Sequence, residues 1–442
     1  MKKYFLLTVF AMQLLNVIAQ NWLPTGLGTN NGNNGGITLN TYNGKLIAGG
    51  AFSKAGNADA NGVAMWDGND WSIVDSSMNN FFYISPFVEF NGQLYGFVKI
   101  DGTRKGNILR LDSNFKWHVV PNSTYSSTKY TSMINSAIIY KNELYLSGGF
   151  DSIGNIAANH IAKWDGTNWM PLGAGVFHEY GANMKVFQNE LYAGGAFSQA
   201  GNVYVNNLAK WNGTQWSDVG GGITPNYYAF RTMEVYKDEL YIGGDFEFAN
   251  GKPMMHITKW NGSKFSDVGG GLGFAGSPNI FKVFGKKLYI GGYFNTGLFQ
   301  NQAGTWDGVK YESLGTGLSD GPTDFEIYKG KLYAGGRFKG FTNGVAVLDT
   351  TDFTTSVLNI NSSENTISIY PNPFTFQTTI SFSVEQKNTT IIITDLLGNE
   401  IYSEIFSGKQ LLLNKADMKA GIYFLETIDK KNHTTNNKII IQ

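Results

Sequence analysis

The chain has no cysteine. Disulfides, thiol nucleophiles and cysteine-ligated metals are excluded, so cohesion must come from core burial, which 442 residues allow. Neither sign of charge is in excess. Acidic and basic side chains number 34 each, and no net field argues for nucleic acid or an anionic membrane. Beyond the first twenty residues there is no long apolar run, so no transmembrane segment is expected in the mature chain. The five histidines (His118, His160, His178, His256 and His433) lack paired ligand spacing, and Asp59-Ala60-Asn61-Gly62 is too short for a calcium loop. With no nucleophile elbow and no phosphate-binding loop either, no metal or cofactor is expected. A monomer is the expected state.

What is present begins with a targeting signal. Lys2 and Lys3 precede an apolar stretch, Tyr4–Ile18, and Val17-Ile18-Ala19 resembles a cleavage site before Gln20. That pattern is a secretory signal peptide over residues 1–19, and Gln13 and Asn16 argue against an uncleaved anchor.

The rest is rich in glycine and aromatics, and both recur with a period. Tyrosines of a Leu-Tyr-x-Gly-Gly-x-Phe motif fall at Tyr95, Tyr145, Tyr192, Tyr241, Tyr289 and Tyr333, with Ile47 in the first position, at intervals of 44–50 residues. The second copy has lost the glycine pair and the phenylalanine. Trp66, Trp164, Trp211, Trp260 and Trp306 follow at matching places, each before a turn pair such as Asp165-Gly166 or Asn212-Gly213. In the fourth copy the strands read as roughly 184–187, 190–197, 207–211 and 215–219. Four short strands joined by tight turns, repeated at this period, predict an all-β chain: a seven-bladed β-propeller of four-stranded antiparallel blades over residues 20–358. Aromatics and glycine pairs carried by nearly every copy are read as packing residues. Trp22-Leu23-Pro24 resembles the fourth strand of the third copy, so the N-terminal strand is expected to complete the seventh blade; a strand around Phe353 is the alternative.

In its paired glycines and spaced aromatics the repeat resembles kelch-like propellers of the galactose oxidase superfamily, over about residues 21–355. Their Tyr–Cys radical cofactor is excluded here for want of cysteine. The wording Ala-Lys-Trp-Asp-Gly-x-x-Trp is closer to repeats of large secreted bacterial proteins and fungal cortical polarity markers, and it implies no reaction.

A polar linker at 359–366 leads to a tail of alternating apolar runs, which predicts a small Ig-like β-sandwich over 367–442. Tyr370-Pro371-Asn372-Pro373-Phe374, Asp395-Leu396-Leu397-Gly398, Ala420-Gly421-Ile422-Tyr423 and the apolar C-terminus occur in the order of a type A sorting domain of type IX secretion, which this segment resembles. The resemblance implies recognition by the type IX machinery through residues 367–442, and release or attachment at the outer cell surface.

In such a propeller the long, variable segments share one face, and that is where a site is expected. Phe177, Tyr180, Tyr227, Tyr228, Phe230 and Phe274 make those links aromatic, with His178 and Arg231 as polar contacts. An aromatic, weakly charged face suits a glycan or a protein loop, and a non-catalytic binding or adhesion module is the leading expectation. The alternative is a polysaccharide-acting glycosidase or lyase, with Glu179, Asp320 and Asp324 as candidate carboxylates; a glycosidase pair would stand at roughly 5–9.5 Å.

Overall fold

The structure is a computed structural model that describes residues 22–26, 36–60, 62–76, 84–100, 102–129, 132–176, 182–224, 230–273, 276–294, 299, 302–316, 318–339, 344–349, 367–370, 372, 374–395, 400–415, 418–428 and 434–441. The expected signal peptide, the expected linker and Phe353 lie outside them. Two compact units divide the chain, Met1–Asp349 and Thr350–Gln442. Among the described residues every regular element is a strand, and none is a helix long and apolar enough to cross a membrane.

In the first unit each repeat folds as an antiparallel meander. The fourth repeat gives Asn183–Phe187, Glu190–Gly194, Leu208–Trp211 and Trp216–Asp218, paired in that order. Among the described residues seven such four-strand paths occur. In the second repeat the path carries three further short strands, so its sheet has seven. The last path takes its fourth strand from the N-terminus: Trp22–Pro24 pairs antiparallel with Val345–Leu348, Trp22 opposite Leu348.

The first strands of the seven paths are Ile37–Tyr42, Ile84–Phe90, Ile134–Tyr140, Asn183–Phe187, Thr232–Tyr236, Gly276–Phe284 and Pro322–Tyr328. Each lies against the first strand of the next path, and the seventh lies against the first. The packing explains the glycine pair. A Cβ on Gly243 would stand 2.5 Å from the ring of Phe281, and one on Gly291 would stand 2.9 Å from Phe325, each ring coming from the following sheet. Glycine is required there because the neighbour's aromatic occupies the space.

Polar ties repeat the same relation at the opposite end of the strands. Lys141 Nζ donates to the Asn212 carbonyl, Lys237 Nζ to that of Asp307, and Lys329 Nζ to that of Asp67, at 2.6–2.7 Å. Tyrosine hydroxyls reach in the same direction: Tyr140 to Asn189, Tyr236 to Lys286 and Tyr328 to Gly44. The last of each series joins the seventh repeat to the first.

The second unit is a five-stranded antiparallel sheet. Its long strand Gln377–Thr394 pairs with Glu400–Asn414 and, at different levels, with Ile367–Tyr370 and Gly421–Ile428; Thr434–Ile441 closes the far edge. It has its own core around Phe374, Ile380, Ile391, Ile393, Leu413, Leu425 and Ile439.

Candidate functional site

Every first strand begins just after a variable link, so the starts of all seven lie at one end of their sheets. They enclose one cavity of about 450 Å³. The seven strands contribute, in order, Thr38, Ser85 and Pro86, Asn135, Asn183, Thr232, Asn279 and Ile280, and Thr323 with Asp324, while Arg231 sits just before the fifth strand.

Four of these strands are irregular at this level. Register breaks fall between Ile84 and Phe87, Ile134 and Ser136, Pro278 and Ile280, and Pro322 and Asp324. The residues that fall out of register are Ser85 and Pro86, Asn135, Asn279 and Thr323, and all of them line the cavity. A bulge re-aims a side chain without interrupting the sheet beyond it, and such irregularities cluster at functional sites.

On one side of the cavity, polar groups from three sheets join. Arg231 donates from Nε and Nη2 to Asp245 Oδ2 at 2.9 and 2.7 Å, and from Nη1 to Asn279 Oδ1 at 3.3 Å. The other oxygen of Asp245 accepts from Ser277 Oγ. Asn183 Nδ2 donates to the Arg231 carbonyl at 2.8 Å.

On the other side, Asp324 Oδ2 accepts from Thr38 Oγ1 at 3.1 Å and from the Leu39 amide at 2.8 Å. Enclosure by protein pushes its carboxyl up to about 6, against the pull of the Leu39 amide and of Lys282. Two residues further along the strands, on the same side by alternation, lie the ion pairs Lys185–Glu234 at 2.6 Å and Lys282–Glu326 at 2.8 Å. Burial works against the charge on Lys282, yet Glu326, Asp324 and Glu234 hold its ammonium above the ordinary lysine value.

The raised Asp324 carboxyl has a consequence for stability. Its folded state holds the proton more tightly than the unfolded chain, whose value is near 3.8, so its contribution is full below pH 4 and is lost as pH rises through about 6. Asp324→Asn keeps an oxygen acceptor and removes the ionisation. The variant is expected to gain on the parent between pH 4 and 7, by roughly 2–4 °C in Tm at pH 7. Parallel Tm-against-pH curves for the two proteins would remove the basis for the shift.

Of the residues the sequence singled out, Phe177, His178, Glu179, Tyr180, Tyr227, Tyr228 and Phe274 lie outside the described residues. Arg231 and Asp324 line the cavity. Asp320 accepts from the amide of Gly321 and is not among the lining residues. Phe230 is 8% exposed and its ring fills the space a Cβ on Gly194 would need, which places it in the core. Sequence reasoning missed the amides and hydroxyls at the strand starts, and Asp245. One signal for Asp245 was present: it is the variable residue between Gly-Gly and Phe in its copy of the motif.

Among known families, the one described as the secretion system C-terminal sorting domain matches residues 368–442. The chain therefore carries the sorting signal of type IX secretion, which engages that machinery and directs it to the cell surface. An endo-acting ulvan lyase of Formosa agariphila is 34% identical over 77 residues, 17% of this chain and 15% of the relative. Among solved structures, PorZ of Porphyromonas gingivalis, a surface component of the type IX secretion system, matches with TM-score 0.47 and 14% identity over 92% of this chain and 59% of its own. The extracellular domain of a one component system of B. thetaiotaomicron matches with TM-score 0.46 and 12% identity, over 95% and 59%. The chain thus spans less than two thirds of each of these proteins.

Proposed function

We propose that the first unit is a kelch-like, seven-bladed β-propeller closed by its N-terminal strand, and that it works at the cell surface as a non-catalytic module binding a glycan or a protein loop in its central cavity. In this reading the signal peptide is 1–19, the propeller 20–358, the linker 359–366 and the sorting domain 367–442. The cyclic succession of first strands and the ties from the seventh repeat to the first support the ring. One observation carries the binding role: first strands of all seven sheets send residues into one cavity, and out-of-register positions place polar side chains there. A volume near 450 Å³ lies within the roughly 300–1,000 Å³ of small-ligand sites.

A polysaccharide-acting enzyme is the second reading, favoured by Asp324, whose raised carboxyl suits a general acid. The ulvan lyase match adds little to it, since 17% of this chain is too small a share to bring an activity along. A glycan array combined with a product screen on the purified chain separates the two. The binding module gives retained spots that Asn279→Ala weakens about tenfold, with no product. Release of shortened chains, abolished by Asp324→Asn, would establish the enzyme instead.

A further inference from the structure

The variable position of the Gly-Gly-x-Phe motif sorts the repeats into two groups. The first, third and fourth copies hold Ala51, Gly149 and Ala196, whereas the fifth, sixth and seventh hold Asp245, Tyr293 and Arg337. The position follows the second strand's glycine pair, beside the start of the first strand, so it borders the lining residues without being one of them. Chemically equipped copies are therefore contiguous, on the side where Arg231, Asp245, Ser277 and Asn279 already form a connected group. Tyr293 is the cross-strand partner of Ser277, which places the two side chains on one face of the sheet. It is 36% exposed, an open ring next to a donor–acceptor cluster.

Among the described lining residues the charges are nearly balanced, and Arg337, the further cation at the variable position, is engaged in an interaction of its own. Arg231, the one cation among the described lining residues, is committed to Asp245 through two hydrogen bonds. Deeper, Lys185 and Lys282 are matched by Glu234 and Glu326. Asp324 adds negative charge as it ionises above about pH 6. An anionic ligand would give up its hydration without gaining an unmatched cation. A neutral polyol meets what it needs: guanidinium N–H donors beyond those spent on Asp245 and Asn279, the side-chain amides of Asn183 and Asn279, and an aromatic face for its C–H surface.

Resting on the reading of the cavity as a binding site, we infer that it takes a neutral sugar, held by the Arg231–Asp245–Asn279 group with Tyr293 as its stacking wall. The fifth and sixth repeats make the subsite, and the other repeats shape the cavity.

The test is calorimetric titration of the full chain at pH 7 with neutral hexose and N-acetylhexosamine oligosaccharides and with their uronate and sulfated counterparts. A neutral oligosaccharide is expected to bind, and its acidic counterparts to bind at least about tenfold more weakly. Tyr293→Ala, at a partly exposed ring, should weaken binding about fivefold, while Tyr293→Phe retains it. Arg231→Ala should weaken it tenfold or more. Tighter binding of acidic sugars overturns the inference and leaves the cavity a binding site. Neutral binding that neither variant moves overturns the placement of the subsite. If no sugar of either kind binds but a protein ligand does, the binding role survives and the sugar assignment falls.

Discussion

Trp22→Ala is expected to lower the Tm of the first unit by roughly 4–7 °C and to make the protein aggregate on heating. Truncating a fully buried tryptophan costs about 3–5 kcal/mol, and the unfolding entropy of some 330 residues converts this into that shift. Trp22 is 1% exposed and stacks on Phe325 of the seventh first strand at 6.1 Å and 11°. Its short strand touches three repeats. The Trp22 amide donates to Thr316 at 2.9 Å, Thr25 Oγ1 donates to the Val345 carbonyl, and Trp71 Nε1 of the first sheet donates to the Thr25 carbonyl at 3.0 Å. Losing the side chain loosens the strand, and a loosened strand uncovers Val345–Leu348 as an open sheet edge, ready to pair with another molecule. Leu23→Ala is the control, because Leu23 is 40% exposed on the same strand and should change stability by less than about 0.5 kcal/mol. Equal melting of the Trp22 variant and the parent, measured by differential scanning calorimetry with light scattering, would show that the strand closes nothing.

Much of this scaffold is legible in the sequence because it repeats. A residue type that recurs every 44–50 positions must serve something each repeat does, and packing on the next repeat is what each repeat does. Gly243 under Phe281 and Gly291 under Phe325 are two instances. The cavity was legible only in part, for two physical reasons. Its polar side chains at Asn135, Asn279 and Thr323 stand at register breaks close to the strand starts, where too few residues precede the break for a shift in the period-two pattern to be read. Its hydrogen-bonded group joins residues whose proximity depends on how neighbouring sheets pack, as with Arg231 and Asn279, 48 positions apart. Phe230 and Arg231 show how fine the distinction is. They are adjacent and both follow a variable link, yet one covers Gly194 in the core and the other lines the cavity. What separates them is which side of the backbone each side chain leaves.

Removing residues 367–442 should abolish appearance at the cell surface while leaving the first unit folded, the largest functional effect expected of any change here. The physical ground is independence. The second unit is a separate compact body whose core side chains, from Phe374 to Ile441, all come from that unit, most of them from its five strands. The sorting family matches within the same segment. A truncated chain therefore keeps the seven sheets and loses the signal that the type IX machinery reads. A point change sharpens this. Ile391 and Leu425 are fully buried in that core, and a carboxylate at either position would be placed in apolar surroundings without a partner, a cost of several kcal/mol. Leu425→Asp should thus unfold the second unit alone. Surface labelling of intact cells should fall to background for both the truncation and the point variant, and calorimetry of the purified chains should show the first unit's transition unmoved. A Leu425→Asp protein that still reached the surface would mean that the machinery reads an extended stretch of sequence and not the folded sheet. A first unit that melted early in the truncated chain would mean that the two bodies depend on one another for stability.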